Sequence, residues 1–78
     1  MDWFLDTFLP SFKNAKKKNI TNKQAEIFEK YMENLNGYRY KKTSLGSIEE
    51  GKWGNKKVIF KKEATPPMYQ YVYYVSIE

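Results

Sequence analysis

The stretch MYQYVYYVSI occupies residues 68–77 and alternates two sets of side chains. Tyr73 and Val75 belong to an aromatic and β-branched set, while Val72 and Tyr74 make the second set partly apolar as well. A period of two with this composition predicts a β-strand. Because both faces of this strand carry apolar groups, we expect it to be covered on both sides and to lie in the middle of a sheet.

A helix is predicted from Thr21 to Leu35, where apolar side chains recur on one face at helical spacing. Thr21 and Gln24 have the spacing of a capping box, in which the two residues satisfy each other's backbone amides. The pair Asn36-Gly37 is typical of a helix end and predicts the stop.

An earlier helix is predicted from Asp2 to about Lys17, because large apolar side chains also recur there at helical spacing. Pro10 predicts a kink, or a break with Pro10 as the first residue of a second short helical piece. The lysines at 16–18 are predicted to close the helix, where cations interact favourably with its dipole.

Two more strands are predicted, at 38–43 and 56–62, and Pro66-Pro67 ends the second because proline cannot continue a ladder. Residues 45–55 hold three glycines and predict a turn region or the tip of a long twisted hairpin. The order α-α-β-β-β predicts an α+β fold with two helices on one face of a three-stranded antiparallel sheet. We expect residues 1–78 to form one small domain.

Composition narrows the classes of function. The chain contains neither cysteine nor histidine, so zinc sites and catalysis built on those residues are excluded. We predict a non-enzymatic binding protein without cofactor, metal site or small-molecule substrate. Absence of cysteine is typical of a reducing compartment, and the Lys-, Asn-, Ile- and Tyr-rich composition is typical of A+T-rich genomes, so we expect the cytoplasm of a bacterial cell or of a phage-infected host.

Positive charge is concentrated between Tyr38 and Lys62, where eight cations face only two carboxylates in a chain of net charge +5. Lysines beside exposed rings suit single-stranded nucleic acid or RNA, with cations for phosphates and rings for bases. The predicted phosphate contacts are Arg39, Lys41, Lys42, Lys56, Lys57, Lys61 and Lys62, and the predicted stacking residues are Tyr40 and Trp53. The alternative is that these lysines bind no ligand, because charged side chains on strands also prevent edge-to-edge aggregation.

Several alternatives remain open at this point. The basic segment would equally suit an acidic surface of a nucleic-acid-handling protein, as in a phage-encoded inhibitor, with Trp53 either exposed as an anchor or folded back over the sheet. The first helix has the composition of an interfacial membrane helix, although a chain this short needs its aromatic residues in the core. A winged helix-turn-helix and a homodimer through a free strand edge are further alternatives.

Overall fold

The computed structural model describes residues 3–78 and contains one five-stranded antiparallel sheet with the spatial order β1-β5-β4-β3-β2. The strands are β1 (Lys18–Ile20), β2 (Asn36–Lys42), β3 (Gly46–Trp53), β4 (Lys56–Thr65) and β5 (Gln70–Ile77). The helical segments are α1 (Asn22–Tyr31), a π-helical turn (Phe4–Phe8) and two 3-10 turns (Leu9–Phe12 and Met32–Asn34). An α+β fold is therefore found, but the prediction of a three-stranded sheet is wrong.

Two strands were missing from the predicted sheet. β3 runs through the glycine-containing segment that predicted a turn. Gly51 allows this strand to pass under Leu35, because a Cβ at position 51 would lie only 2.5 Å from the Leu35 Cβ. β1 has only three residues and pairs with β5, with Lys18 opposite Val75. So short a strand carries no detectable period of its own and is specified by its distant partner.

β5 is internal, between β1 and β4, as the alternation of residues 68–77 predicted. The buried face of the sheet, here called the covered face, carries Val58, Phe60, Val75 and Ile77 and packs against α1 and the N-terminal turns. The opposite face carries Ile48, Ile59, Val72 and Tyr74, which are only half-buried. Since no described residue forms a layer over this open face, the expectation that β5 is covered on both sides is wrong.

The N-terminal segment is not the continuous helix that its apolar spacing predicted. It forms the π-helical turn followed by a 3-10 turn that begins at Leu9, so the chain breaks near Pro10 as one alternative predicted, but Pro10 is the second residue of the new piece and not the first. Lysines 16–18 do not close a helix; Lys17 has a φ of 49° and leads into β1. Asp2, the predicted first residue of the helix, lies outside the described residues.

The second predicted helix is confirmed as α1 with a short 3-10 extension. Thr21 Oγ1 accepts a 3.2 Å hydrogen bond from the Gln24 amide, and the Thr21 amide donates a 3.0 Å bond to Gln24 Oε1. This is the predicted capping box. Asn36 and Gly37 do not simply end the helix, since both already belong to β2.

Aromatic side chains of the N-terminal turns and α1 build the core. Phe28 stacks on Phe60 of the sheet at 5.5 Å and receives the edges of Phe4 and Phe8 at 5.9 and 5.1 Å. Such ring pairs stabilise a small core beyond their buried area. Three rings of the proposed interfacial membrane helix, Phe4, Phe8 and Phe12, are thus core residues, whereas Trp3 is 50% exposed. No helix within residues 3–78 is long and apolar enough to cross a membrane.

Candidate functional site

The predicted site residues are divided between the two faces of the sheet, because successive residues of a strand point in opposite directions. Arg39 lies opposite Glu50, and Lys52 lies opposite Lys57, in the register of the open face. The strands place five cations on that face: Arg39, Lys41, Lys52, Lys57 and Lys61. They place only Glu50 and Glu63 beside them, so the strand residues of the open face carry a net positive charge.

Both carboxylates of the open face are engaged in ion pairs. Lys57 Nζ lies 3.3 Å from Glu50 Oε2, and Lys61 Nζ lies 3.3 Å from Glu63 Oε1. These lysines are more than one third exposed, so each pair contributes at most about 1 kcal/mol. The other three cations of this face make no ion pair with a described residue. Their charge is available to a ligand, and the paired lysines can exchange partners at small cost.

A cleft of about 670 Å³ lies where the open face meets the β3–β4 turn. Four cations line this basic cleft: Arg39, Lys52, Lys56 and Lys57. Glu50 and Glu78 also line it. The fold thus brings together three residues predicted to contact phosphates, namely Arg39, Lys56 and Lys57, and adds Lys52, which was not among them.

Lys41 and Lys61 lie on the open face outside this cleft, whereas the other predicted residues lie on the covered face: Tyr40, Lys42, Trp53 and Lys62. Tyr40, Lys42 and Lys62 line a second cleft of about 400 Å³, between the β2–β3 and β4–β5 turns. Tyr69 and Tyr71 line the same cleft. Tyr40, Tyr69 and Tyr71 are 59, 65 and 50% exposed, which makes this tyrosine cleft an unusually aromatic surface.

Lys62 is held at the tyrosine cleft by two neighbours. Its Nζ lies 4.2 Å from the centre of the Tyr71 ring and 3.9 Å from Glu29 Oε1 at the edge of α1. A cation over a ring is attracted to the negative face of the π-system. Tyr73 packs near the same ring, with 6.4 Å between the two ring centres, and Tyr71 nevertheless remains 50% exposed.

A polar pair, half-buried Tyr38 and buried Glu49, lies close to the tyrosine cleft, since Glu49 is opposite Tyr40 in the register of β2 and β3. Tyr38 Oη donates a 2.5 Å hydrogen bond to Glu49 Oε1, and Glu49 is only 8% exposed. Burial, and next the hydrogen bond to Glu49, raise the pKa of Tyr38 to about 12. The phenol therefore stays protonated and satisfies the carboxylate, which leaves no unpaired buried side-chain polar atom among the described residues.

Trp53 does not occupy the exposed position that stacking requires. It is half-buried and packs against the core, which agrees with the alternative that Trp53 folds back over the sheet. Tyr69 and Tyr71 line the tyrosine cleft but were not named as stacking residues, because the sequence alone did not show which face of the sheet holds the tyrosines of the last strand. Their position next to Pro66-Pro67, at the end of a strand, was the available signal that a turn would expose them.

Among residues 3–78, no group of three or more acidic side chains is placed to hold a metal ion. We found no family model, curated protein or solved structure that matches this chain.

Proposed function

We propose that the protein binds nucleic acid, with the phosphate backbone lying on the open face and in the basic cleft. One observation carries this proposal: Arg39, Lys41 and Lys52 lie on one uncovered sheet face without an ion-pair partner among the described residues. Unpaired cations spread over a flat face suit a repeating polyanion better than a compact ligand. Their neighbours Lys57 and Lys61 add charge to the same surface.

The energetics of such binding depend on counterion release. Each phosphate that a lysine or arginine neutralises contributes about 0.7 to the slope of log affinity against log salt for a single strand, and about 0.9 for a duplex. Five cations on the open face would therefore give a slope of up to about 3.5 for a single strand. The two ion pairs with Glu50 and Glu63 lower this value to the extent that they persist in the complex.

An acidic protein surface is the second candidate partner of the open face. The observation that favours it is the half-buried apolar centre formed by Ile48, Ile59, Val72 and Tyr74, which cations surround. An apolar centre with a charged rim is the usual anatomy of a protein interface. A pull-down with tagged protein after nuclease treatment separates the two candidates, since only a protein partner would remain bound in stoichiometric amount.

The experiment that tests nucleic-acid binding is fluorescence anisotropy of a labelled oligonucleotide, measured at several salt concentrations. The variant K41E/K52E removes two unpaired cations without breaking an ion pair that the structure contains. We expect it to bind more weakly and with a salt slope lower by about 1.4 for a single strand. Both side chains are exposed, so the thermal unfolding of the variant should match that of the parent protein.

The matched control is K13E/K23E. It changes the net charge by the same amount, but both lysines are exposed and lie outside the sheet. If the control weakened binding as much as K41E/K52E, net charge alone would account for the affinity and the open face would not be the site. Absence of binding at physiological salt by the parent protein would refute the proposed function itself.

A further inference from the structure

We infer that the tyrosine cleft receives unpaired bases, so that the preferred ligand is single-stranded nucleic acid whose backbone continues onto the open face. This inference rests on the proposed function and specifies its ligand. The cleft combines three rings that are at least half exposed with two lysines, whereas the open face carries cations around aliphatic side chains and one half-buried tyrosine. Aromatic rings stack on bases only where these are not already stacked in a duplex.

The order of side chains within the cleft suits a strand of nucleotides. Lys42, Ser47 and Lys62 lie side by side on β2, β3 and β4, so the backbones of the two lysines are two strand spacings, or about 10 Å, apart. Tyr40 lies two positions before Lys42 on β2, to one side of this row. Tyr71 lies on the other side, on β5, opposite the residue two positions after Lys62. Cations are thus flanked by rings, as alternating phosphates and bases require.

The floor of the cleft is shallow enough for bases to reach the rings. Gly46, Ser47 and Ala64 form part of it, and these residues present no long side chain. A Cβ at Gly46 would lie 2.0 Å from the carbonyl oxygen of Lys62, so only glycine allows β3 to lie this close to β4 here. Small residues at these positions therefore leave the rings at the sides of the cleft accessible.

The edge strand β2 connects the cleft with the open face. Alternate residues of β2 point to opposite faces, so Tyr40 and Lys42 line the cleft while Arg39 and Lys41 lie on the open face. Tyr40 also borders a pocket that Arg39 and Lys41 line, so it is accessible from both sides of the edge. All four side chains are exposed, and β2 has no neighbouring strand on its outer side within the described residues. A single strand can pass around this edge and contact both surfaces.

Tyr69 supplies an independent reason to treat the cleft as a binding surface. It lies in the β4–β5 turn with a φ of 54°, a left-handed conformation that glycine adopts without strain and an aromatic residue does not. Its amide nevertheless donates a 2.8 Å hydrogen bond to the Thr65 carbonyl, and its ring remains 65% exposed. A strained, exposed ring beside two others adds stacking area that the fold does not need.

The test measures the affinity of the parent protein and of Y40A/Y71A for two labelled ligands. One is a single strand of about 15 nucleotides, which is long enough for a small binding fold, and the other is a duplex of the same sequence. Loss of two stacked bases should weaken single-strand binding by about 30-fold or more. Duplex binding should change less than about twofold, because its phosphates contact the open face. The variant Y40F/Y71F keeps both rings and should retain the parent affinity for the single strand.

The inference would be wrong if Y40A/Y71A bound the single strand as tightly as the parent protein, or if it lost as much affinity for the duplex as for the single strand. It would also be wrong if Y40F/Y71F bound the single strand as weakly as Y40A/Y71A. Photo-crosslinking of an iodouracil-substituted strand to the parent protein provides a second measurement, and adducts should map to the three cleft tyrosines. Adducts confined to other residues would contradict the inference. If the parent protein bound neither oligonucleotide, the proposed function would fail as well, whereas selective failure of the tyrosine variants concerns the cleft alone.

Discussion

Gly51→Ala tests how closely β3 passes beneath the 3-10 extension of α1. A Cβ on Gly51 would lie 2.5 Å from the Cβ of Leu35 and 3.0 Å from its Cδ1. Carbon atoms prefer separations of about 3.5–4.0 Å, so one of the two segments must move by about 1 Å. The Leu35 amide is bonded to the Met32 carbonyl at 3.0 Å, which limits the movement of Leu35.

Overpacking of this kind costs about 1–3 kcal/mol of unfolding free energy. A loss of 2 kcal/mol would lower the Tm by about 8–16 °C in a domain of this size. Urea denaturation followed by far-ultraviolet circular dichroism measures the change. Lys52→Ala is the control on the same strand, since its side chain is exposed and its unfolding free energy should stay within about 0.5 kcal/mol of the parent value.

A double-mutant cycle makes the assignment specific to Leu35. Leu35→Ala alone leaves a cavity and should cost about 2–5 kcal/mol. In the double variant the new methyl group at position 51 occupies part of that space, so its loss should be smaller than the sum of the single losses by about 1 kcal/mol or more. Additive losses, or a Gly51→Ala variant as stable as the parent protein, would refute the close packing described here.

Two further predictions concern the buried tyrosine and the N-terminal turns. Because the pKa of Tyr38 is raised to about 12, from an ordinary value of 10.0, the stability that its protonated form contributes is complete below pH 10 and is lost as the pH rises from 10 towards 12. Urea denaturation across this range should show a steeper loss for the parent protein than for Tyr38→Phe, and equal slopes would contradict the assignment. Phe4→Ala should lower the unfolding free energy by about 3–5 kcal/mol because Phe4 is 1% exposed, whereas Trp3→Ala should cost about 1 kcal/mol because Trp3 is 50% exposed. A negligible cost for Phe4→Ala in the same assay would show that this segment is not part of the core.

Patterns of residues close together in the sequence predicted the parts of the fold that depend on neighbouring residues, such as the start of α1 and the end of β4. The capping box of Thr21 and Gln24 depends on residues three positions apart, and Pro66 ends β4 at Thr65 because it lacks an amide hydrogen. The N-terminal turns were predicted poorly because their apolar spacing suits a regular helix, whereas the segment forms a π-helical turn and a 3-10 turn whose phenylalanines surround Phe28.

Parts of the sheet that depend on distant partners could not be predicted. Gly51 looks like a turn residue until Leu35 is placed above it, and β1 is visible only once β5 lies beside it. The site shows the same limit. The sequence alone predicts that Arg39 and Tyr40 point to opposite faces of the sheet, because they are neighbours on one strand. Only the tertiary structure shows which of the two faces is covered by helices.

The pairing of β1 with β5 has a consequence for the order of folding. Lys18 lies opposite Val75, and the Lys17 amide donates a 2.7 Å hydrogen bond to Ser76 Oγ, 59 positions further along the chain. Closing so long a loop costs conformational entropy before any contact compensates for it, whereas the β2–β3 and β3–β4 hairpins close locally. Non-local pairings slow folding, so we expect the two hairpins to form early and β1 to pair with β5 late. The sheet edge formed by β5 would then stay open until the N-terminal segment arrives.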